Sequence, residues 1–378
     1  MNVGRLVVLG ALIGCTETTE LLAPTPASCL APVPPIHLGG SGDDSCAAVQ
    51  AAKFGRYALC VCEDVATTGG FSVKNLASAG ATATPGAVGV NENFTVAGSI
   101  ETPGTVRVAG AVNLAGGAIE GNLHARKTVM TSHSVSIGKD LFAGGEVTGP
   151  YVVGGTVHTP YYVNVAPEVL ASHVLHESVS VPDPCQCDFT RLFDIAAAVT
   201  ARAAQNANDI LPFASAFREE IDIPQTFDWP CGEFHLSKIR TSRQAPLTFR
   251  IHGNVGIFVD GDVRLNNNLE VILDPNASLD LVVSGTFSTI GRLFGSPKAP
   301  RHVRLWVAEV SVSLPDEIQF GAVVYAPYAA FTAGAGLVYS GSLFVSTVAI
   351  NGDVALTYDP GTADEGQVCN VAAPPVVQ

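Results

Sequence analysis

From about residue 65 to 165 the chain runs in short apolar pairs punctuated by glycine, a pattern that suits short strands joined by tight turns. An internal match supports a coiled repeat. Gly110-Ala-Val-Asn-Leu-Ala-Gly-Gly-Ala-Ile-Glu-Gly121 aligns with Gly138-Lys-Asp-Leu-Phe-Ala-Gly-Gly-Glu-Val-Thr-Gly149 at an offset of 28. Apolar character is kept at Leu114/Phe142 and Ile119/Val147, as stacked coils with an inward file would require. A second echo, Gly321-Ala-Val-Val-Tyr-Ala against Gly341-Ser-Leu-Phe-Val-Ser, has an offset of 20 and implies coils of unequal length. In this later region β-branched runs bounded by turn residues predict strands at 256–259, 263–265, 269–273, 279–283, 303–307, 323–325, 343–345 and 354–358. Between the two β regions, Leu192, Ile195, Ala196, Val199 and Ala203 recur near helical spacing. They predict a helix over 189–211, capped by Asp188, stopped by Pro212 and covering a flank or end of the solenoid. A shorter helix is expected at 45–57.

Composition narrows the class. With 38 Gly, 24 Pro and 14% charged residues, a charged helical bundle is excluded, and 47% hydrophobic residues exclude a mainly disordered chain. The balance of 20 basic against 34 acidic residues gives −14 with no basic cluster, so nucleic acid is not an expected partner.

The first residues specify an address. Leu6 to Gly14 form an apolar run behind Arg5, too short to span a bilayer, and it ends at Cys15. Leu12-Ile-Gly-Cys15 resembles the lipobox of bacterial lipoproteins, which implies cleavage after residue 14 and acylation of Cys15. A plain cleaved signal or an uncleaved anchor is the alternative. Thr16 stands where an Asp would retain the protein at the inner membrane, so the expected location is the outer membrane.

Eight further cysteines, Cys29, Cys46, Cys60, Cys62, Cys185, Cys187, Cys231 and Cys369, are an even number in an exported chain and predict up to four disulfides of open pairing. The one-residue spacing of Cys60-Val-Cys62 and Cys185-Gln-Cys187 does not fit common structural zinc sites. The expected division is therefore 1–14 signal peptide, 15–35 lipidated cysteine and proline-rich tether, 36–64 cysteine-rich lead-in, 65–182 first solenoid stretch, 183–223 Cys-x-Cys segment and helix, and 224–378 second stretch.

Candidate chemistry is sparse. Asp260-Gly-Asp262, followed by Asn266-Asn-Asn268, places carboxylates two apart, where they would share a strand face and could bind calcium or act as acid and base; turn chemistry is the alternative. The tyrosines of Tyr325-Ala-Pro-Tyr328 are candidates for stacking on a sugar ring, against a role in the core. His173 and His176, near Glu168 and Glu177, would share a helical face if residues 167–177 were helical, without an identifiable third metal ligand. No nucleophile elbow, zinc-protease, phosphate-loop or dinucleotide motif occurs, so no catalytic residue, metal or cofactor is assigned.

At Gly253-Asn-Val-Gly-Ile-Phe-Val-Asp-Gly-Asp262, Ala277-Ser-Leu-Asp-Leu-Val-Val-Ser-Gly285, Val324-Tyr-Ala-Pro327, Gly341-Ser-Leu-Phe344 and Tyr358-Asp-Pro360, the chain resembles a β-solenoid domain of unknown function in bacterial surface proteins. The order of Pro184-Cys-Gln-Cys187, helix and Pro230-Cys-Gly232 is similar to that of uncharacterised myxobacterial surface lipoproteins. Related domains resemble parts of pilus-assembly proteins. The resemblance covers roughly residues 85–360 and implies a surface-exposed β-helix with no catalytic residue to carry over.

The expected fold is thus mainly β: a right-handed parallel β-helix in two stretches, with one inserted helix and disulfide staples. The expected function is non-enzymatic, a structural or adhesive lipoprotein held to the membrane by its lipid and contacting polysaccharide or an envelope protein. A β-helix enzyme acting on polysaccharide through Asp260 and Asp262, and an appendage-assembly component, are the alternatives.

Overall fold

A computed structural model of the chain describes residues 36–38, 46–77, 85–161, 169–188 and 190–364. Cys15, Cys29, Cys369 and the tether fall outside the described residues. Thirty-one strands among the described residues pair in parallel into one sheet wound as a β-helix. A typical strand is a triplet such as Val106–Val108 or Leu123–Ala125, whose first and last side chains are buried while the middle one points outward. Longer strands turn a corner: Val112–Ile119 pairs with Val129–Thr131 through its first residues and with Val135–Ile137 through its last. The corner needs Gly117, at φ +120°, where a Cβ would lie 2.1 Å from the carbonyl oxygen of Ile100 in the coil below.

Three flat faces run along the stack. On one of them successive inward partners are Val88, Val106, Leu123 and Leu141, so a coil takes 17 or 18 residues. The offset of 28 read from the sequence is therefore not a coil: Leu114 pairs with Val96 and Thr131, whereas Phe142 pairs with His124 and His158 on a different face. Glycine recurs at corners between different pairs of faces, as at Gly110, Gly121, Gly138 and Gly149, so it matches at offsets that skip a face. The later offset of 20 is also corrected by one, because Val324 lies on Leu343 and Tyr325 on Phe344. The strands expected in the later region are present, several of them longer, as in Val323–Ala333 and Leu343–Ile350.

The two stretches are one β-helix, stacked in the reverse of their chain order. The last coil of the later stretch, Leu343–Ile350 and Val354–Tyr358, lies directly on the first coil of the earlier stretch, Tyr57–Val61, Val65–Thr67 and Phe71–Asn75. At this seam Leu59 pairs with Leu343, Val65 with Val348 and Phe71 with Val354. Side chains lock it as well: Gly70 donates its N–H to Asp353 at 2.7 Å, Gly352 to Thr68 at 2.8 Å, and the Tyr358 hydroxyl donates to the Gly55 carbonyl at 2.8 Å. The helical path thus continues from Tyr358 to Tyr57 without a covalent link. The chain enters at mid-length, winds out to Val169–His176, returns outside the coils, and winds back from Gln225–Trp229 to the seam.

The return path explains the helix. Residues 177–188 descend a corner as a strap, with Arg126 Nε donating to Val181 O at 2.8 Å and the Asn91 amide exchanging two hydrogen bonds of 3.0 Å with the backbone of Cys185. The helix is shorter than 189–211. It covers Ile195–Ala203, because Asp188 is used in a turn with Thr190 and Asp194 caps instead, accepting from the N–H of Ala197 at 2.9 Å. Ile195, Ala198 and Val199 pack on the strands Gly232–Leu236, Asn254–Val259 and Ser278–Val283. Phe213 and Phe217 then plug the end of the β-helix over Phe227 and Trp229, at ring separations of 4.8 to 5.7 Å. The earlier helix, Ala47–Phe54, lies within the expected 45–57.

At one corner His252 bridges two coils, its Nε2 3.0 Å from Asp228 and its Nδ1 2.9 Å from Asp274. Burial opposes its protonation, but the hydrogen bonds to Asp274 and Asp228 and their charges outweigh that effect and raise the pKa above its ordinary value.

Leu343→Ala, at the seam, should cost about 2–5 kcal/mol and lower hydrogen-exchange protection in strands of both stretches together; loss confined to one stretch would contradict a single continuous β-helix. The stabilisation from charged His252 should be complete below about pH 6.5 and fade as pH rises through the raised pKa. The melting-temperature gap between the parent and His252→Gln should therefore narrow from mildly acid to alkaline pH, and a constant gap would contradict the ion pairs.

Candidate functional site

One outward file runs the length of the face that carries the helices. Its members are His235, Phe258, Val282, Trp306, Tyr325 and Phe344 from the later stretch, then Cys60, Gly89, Arg107, His124, Phe142, His158 and Leu175 from the earlier one. At about 4.8 Å per coil, this file spans roughly 58 Å. Its aromatic middle lies at the seam. Tyr325 and Phe344 stack at 5.3 Å, Trp306 meets Tyr325 at 5.4 Å, and Phe54 from the end of α1 (Ala47–Phe54) touches all three. Beside them on the same face, Arg304 holds the fully buried Asp280 through two bonds of 2.7 and 2.8 Å, and the Trp306 indole donates to the same carboxylate at 3.0 Å. This buried pair fixes the Trp306 ring.

A cleft of about 1030 Å³ opens over this aromatic floor. One wall is the end of α1 and the chain after it, with Lys53, Arg56 and Tyr57; the other is the strap and the approach to α2 (Ile195–Ala203), with Asp183, Asp188, Arg191 and Asp194. The acids of the second wall are engaged locally. Asp183 pairs with Arg126, Asp188 with Arg191 and Thr190, and Asp194 caps α2. Hydrogen bonds from the Thr190 hydroxyl and N–H, together with Arg191, hold the Asp188 carboxyl below its usual range. The cleft therefore carries Lys53 and Arg56 along α1 and locally paired acids along the strap, with apolar rings between.

Two disulfides fix the strap wall to the first seam strand: Cys60–Cys185 and Cys62–Cys187. The two Cys-x-Cys motifs pair in parallel, each sulfur with its counterpart. Cys46 and Cys231 are disulfide-bonded as well.

The sequence candidates separate. Tyr325 is a floor residue, only 7% exposed, and its hydroxyl accepts from the Phe193 N–H at 3.0 Å; burial pushes its pKa up to about 12. Tyr328 sits at the next corner and is exposed, so the two rings do not form one sugar-stacking surface. Asp260 and Asp262 occupy the turn after Asn254–Val259, where strand alternation no longer applies. Asp260 is exposed, while Asp262 ties coils together: Oδ1 accepts from Thr286 N at 3.1 Å and Oγ1 at 2.9 Å, and Oδ2 accepts from Arg264 at 2.7 Å. Burial alone would raise the Asp262 pKa, but these donors outweigh it and lower it. His173 and His176 lie on the strand Val169–His176, not a helix, and three residues apart on a strand they face opposite sides. Glu168 lies outside the described residues.

Phe54, Arg56, Phe193, Trp306 and Phe344 were not singled out from sequence. The legible signal was the spacing of Trp306, Tyr325 and Phe344, each one 19-residue coil from the next.

Residues 194–365 match the family model of a domain of unknown function, DUF7305. No curated protein and no solved structure matches the chain. The DUF7305 domain takes in α2, the end plug and the whole later stretch up to the seam. It supplies Tyr325 and Phe344 to the floor, with Trp306 packed against Tyr325, while α1 and the disulfide-bound strap come from outside it.

Because both disulfides span 125 residues and lie side by side, removing either pair alone should cost little. Removing both by Cys→Ser should cost roughly 4–5 kcal/mol by chain entropy and expose residues 177–193 to protease. Equal and additive costs in urea unfolding would contradict this shared constraint.

Proposed function

We propose that the chain is a non-catalytic, lipid-anchored module of the bacterial outer membrane whose rigid β-helix presents the seam cleft to a polysaccharide or protein of the cell envelope. The observation that carries the reading is the cleft itself: an aromatic floor set by stacked strands, with walls held by a helix and two disulfides, so that little order is lost on binding. Disulfides belong to an exported chain, which agrees with the signal and lipobox pattern ending at Cys15. In this reading the proline-rich composition of residues 16–35 suits a spacer between the lipid and the β-helix. The engagement of Asp262 by Thr286 and Arg264 favours a structural role for that carboxylate over acid–base work on a sugar.

One set of preparations tests both parts. The full chain is incubated in detergent with a panel of insoluble envelope polysaccharides and envelope proteins, and bound protein and released sugar ends are followed together. Binding without release, reduced at least tenfold by Arg56→Glu with Tyr57→Ala, is the expected result. Release of sugar ends would overturn the non-catalytic reading, and binding indifferent to those substitutions would remove the cleft. Cys15→Ala should move the protein out of the outer-membrane fraction; unchanged fractionation would remove the anchor.

A further inference from the structure

The two ends of the β-helix are finished differently. One is plugged by Phe213 and Phe217. The other ends at the strand Val169–His176, which pairs along one edge with Tyr151–Thr159 and, among the described residues, has no strand on its other edge. The inner file of Leu59, Val88, Val106, Leu123, Leu141 and Val157, each at most 1% exposed, emerges here at Val174, which is 37% exposed. Leu175 beside it is 46% exposed. An open strand edge carrying the end of a core is a template for another strand.

We propose that this end is closed by the same end of a second copy of the chain, the two Val169–His176 strands pairing antiparallel about a two-fold axis. The shape of the strand selects that occupant. Its register on Tyr151–Thr159 shifts between Val153 and Thr156, so residues 169–171 lie along one face and 173–176 along the next, with a corner between. A two-fold axis through that corner lays each arm of the bend on the other arm of the partner, so a copy matches the bend by symmetry.

The alternation also matches. In the register that opposes Ala171 to Val174 and Leu170 to Leu175, Ala171 and Val174 continue the inner positions of Val153 and Val157. Leu175 continues the outer position of His158, and Leu170 stands in register with Val152. Inner thus meets inner, and the two cores join through Val174. The contact is one coil in cross-section, which places it among weak interfaces and makes it dependent on concentration.

Sedimentation velocity of the full chain in non-ionic detergent, over a concentration series, tests this. The protein mass should double with rising concentration. Val174→Asp and, separately, Leu175→Lys should hold it at the single-copy mass with an unchanged far-ultraviolet circular dichroism spectrum, while Ile223→Lys, exposed near the plugged end, should leave the doubling intact. A mass that never doubles, a doubling that survives both end substitutions, or one that is lost with Ile223→Lys would each overturn the proposal.

Discussion

Parallel backbone pairing across the seam is the contact on which the rest of this molecule depends. Val354 N donates to Gly70 O at 2.8 Å, Cys62 N to Val345 O at 3.0 Å and Leu76 N to Tyr358 O at 2.7 Å, between segments some 280 residues apart in sequence. Each stretch alone would expose a coil-wide strand edge there. Joined, the two edges satisfy each other and the inner files run through unbroken. Because the stretches stack in reverse chain order, the segment between them must travel back outside the coils, and that route creates the strap, the site for α2 and the plug at the far end.

The cleft follows from the same geometry. Where coverage is continuous, the outward file is apolar: α2 and the chain at residue 36 bury Phe258 and Val282. Near the seam the cover comes from three separate pieces, α1, the strap and the approach to α2, and they do not meet over Tyr325 and Phe344. The space left between them is floored by rings and walled by the basic side chains of α1 on one side and the internally paired charges of the strap on the other. The disulfides sit at this junction and tie the strap to the first seam strand, so the cleft and the seam are held by shared contacts.

Much of the fold was legible in local patterning, and the errors have physical causes. Strands in the later region were placed closely because β-branched runs between turn residues leave few alternatives. The expected helix runs on to 211 because Pro212 is the first proline to stop it, whereas the observed one ends at Ala203, where Asn206 caps the last turn by donating to Arg202 O and Ala203 O at 3.1 Å. A shared face for His173 and His176 needs a helix over 167–177, and pairing on Tyr151–Thr159 makes Val169–His176 a strand instead. Asp260-Gly-Asp262 was seen as a shared face because two-residue alternation was carried into a turn, where it fails.

By itself the sequence determined the class: a glycine-punctuated β-helix, one flanking helix, and cysteines suited to an exported chain, because strand alternation, turn residues and helical spacing are local properties of neighbouring residues. Only the tertiary structure decided the reversed stacking of the two stretches, the one-to-one pairing of the Cys-x-Cys motifs, and the gathering of Phe54, Phe193, Tyr325 and Phe344 around one cleft, with Trp306 packed behind them. Strand edges and thiols carry no label for their partner. Which edge meets which is set by the closure of the whole coil stack, and that is a property of no single segment.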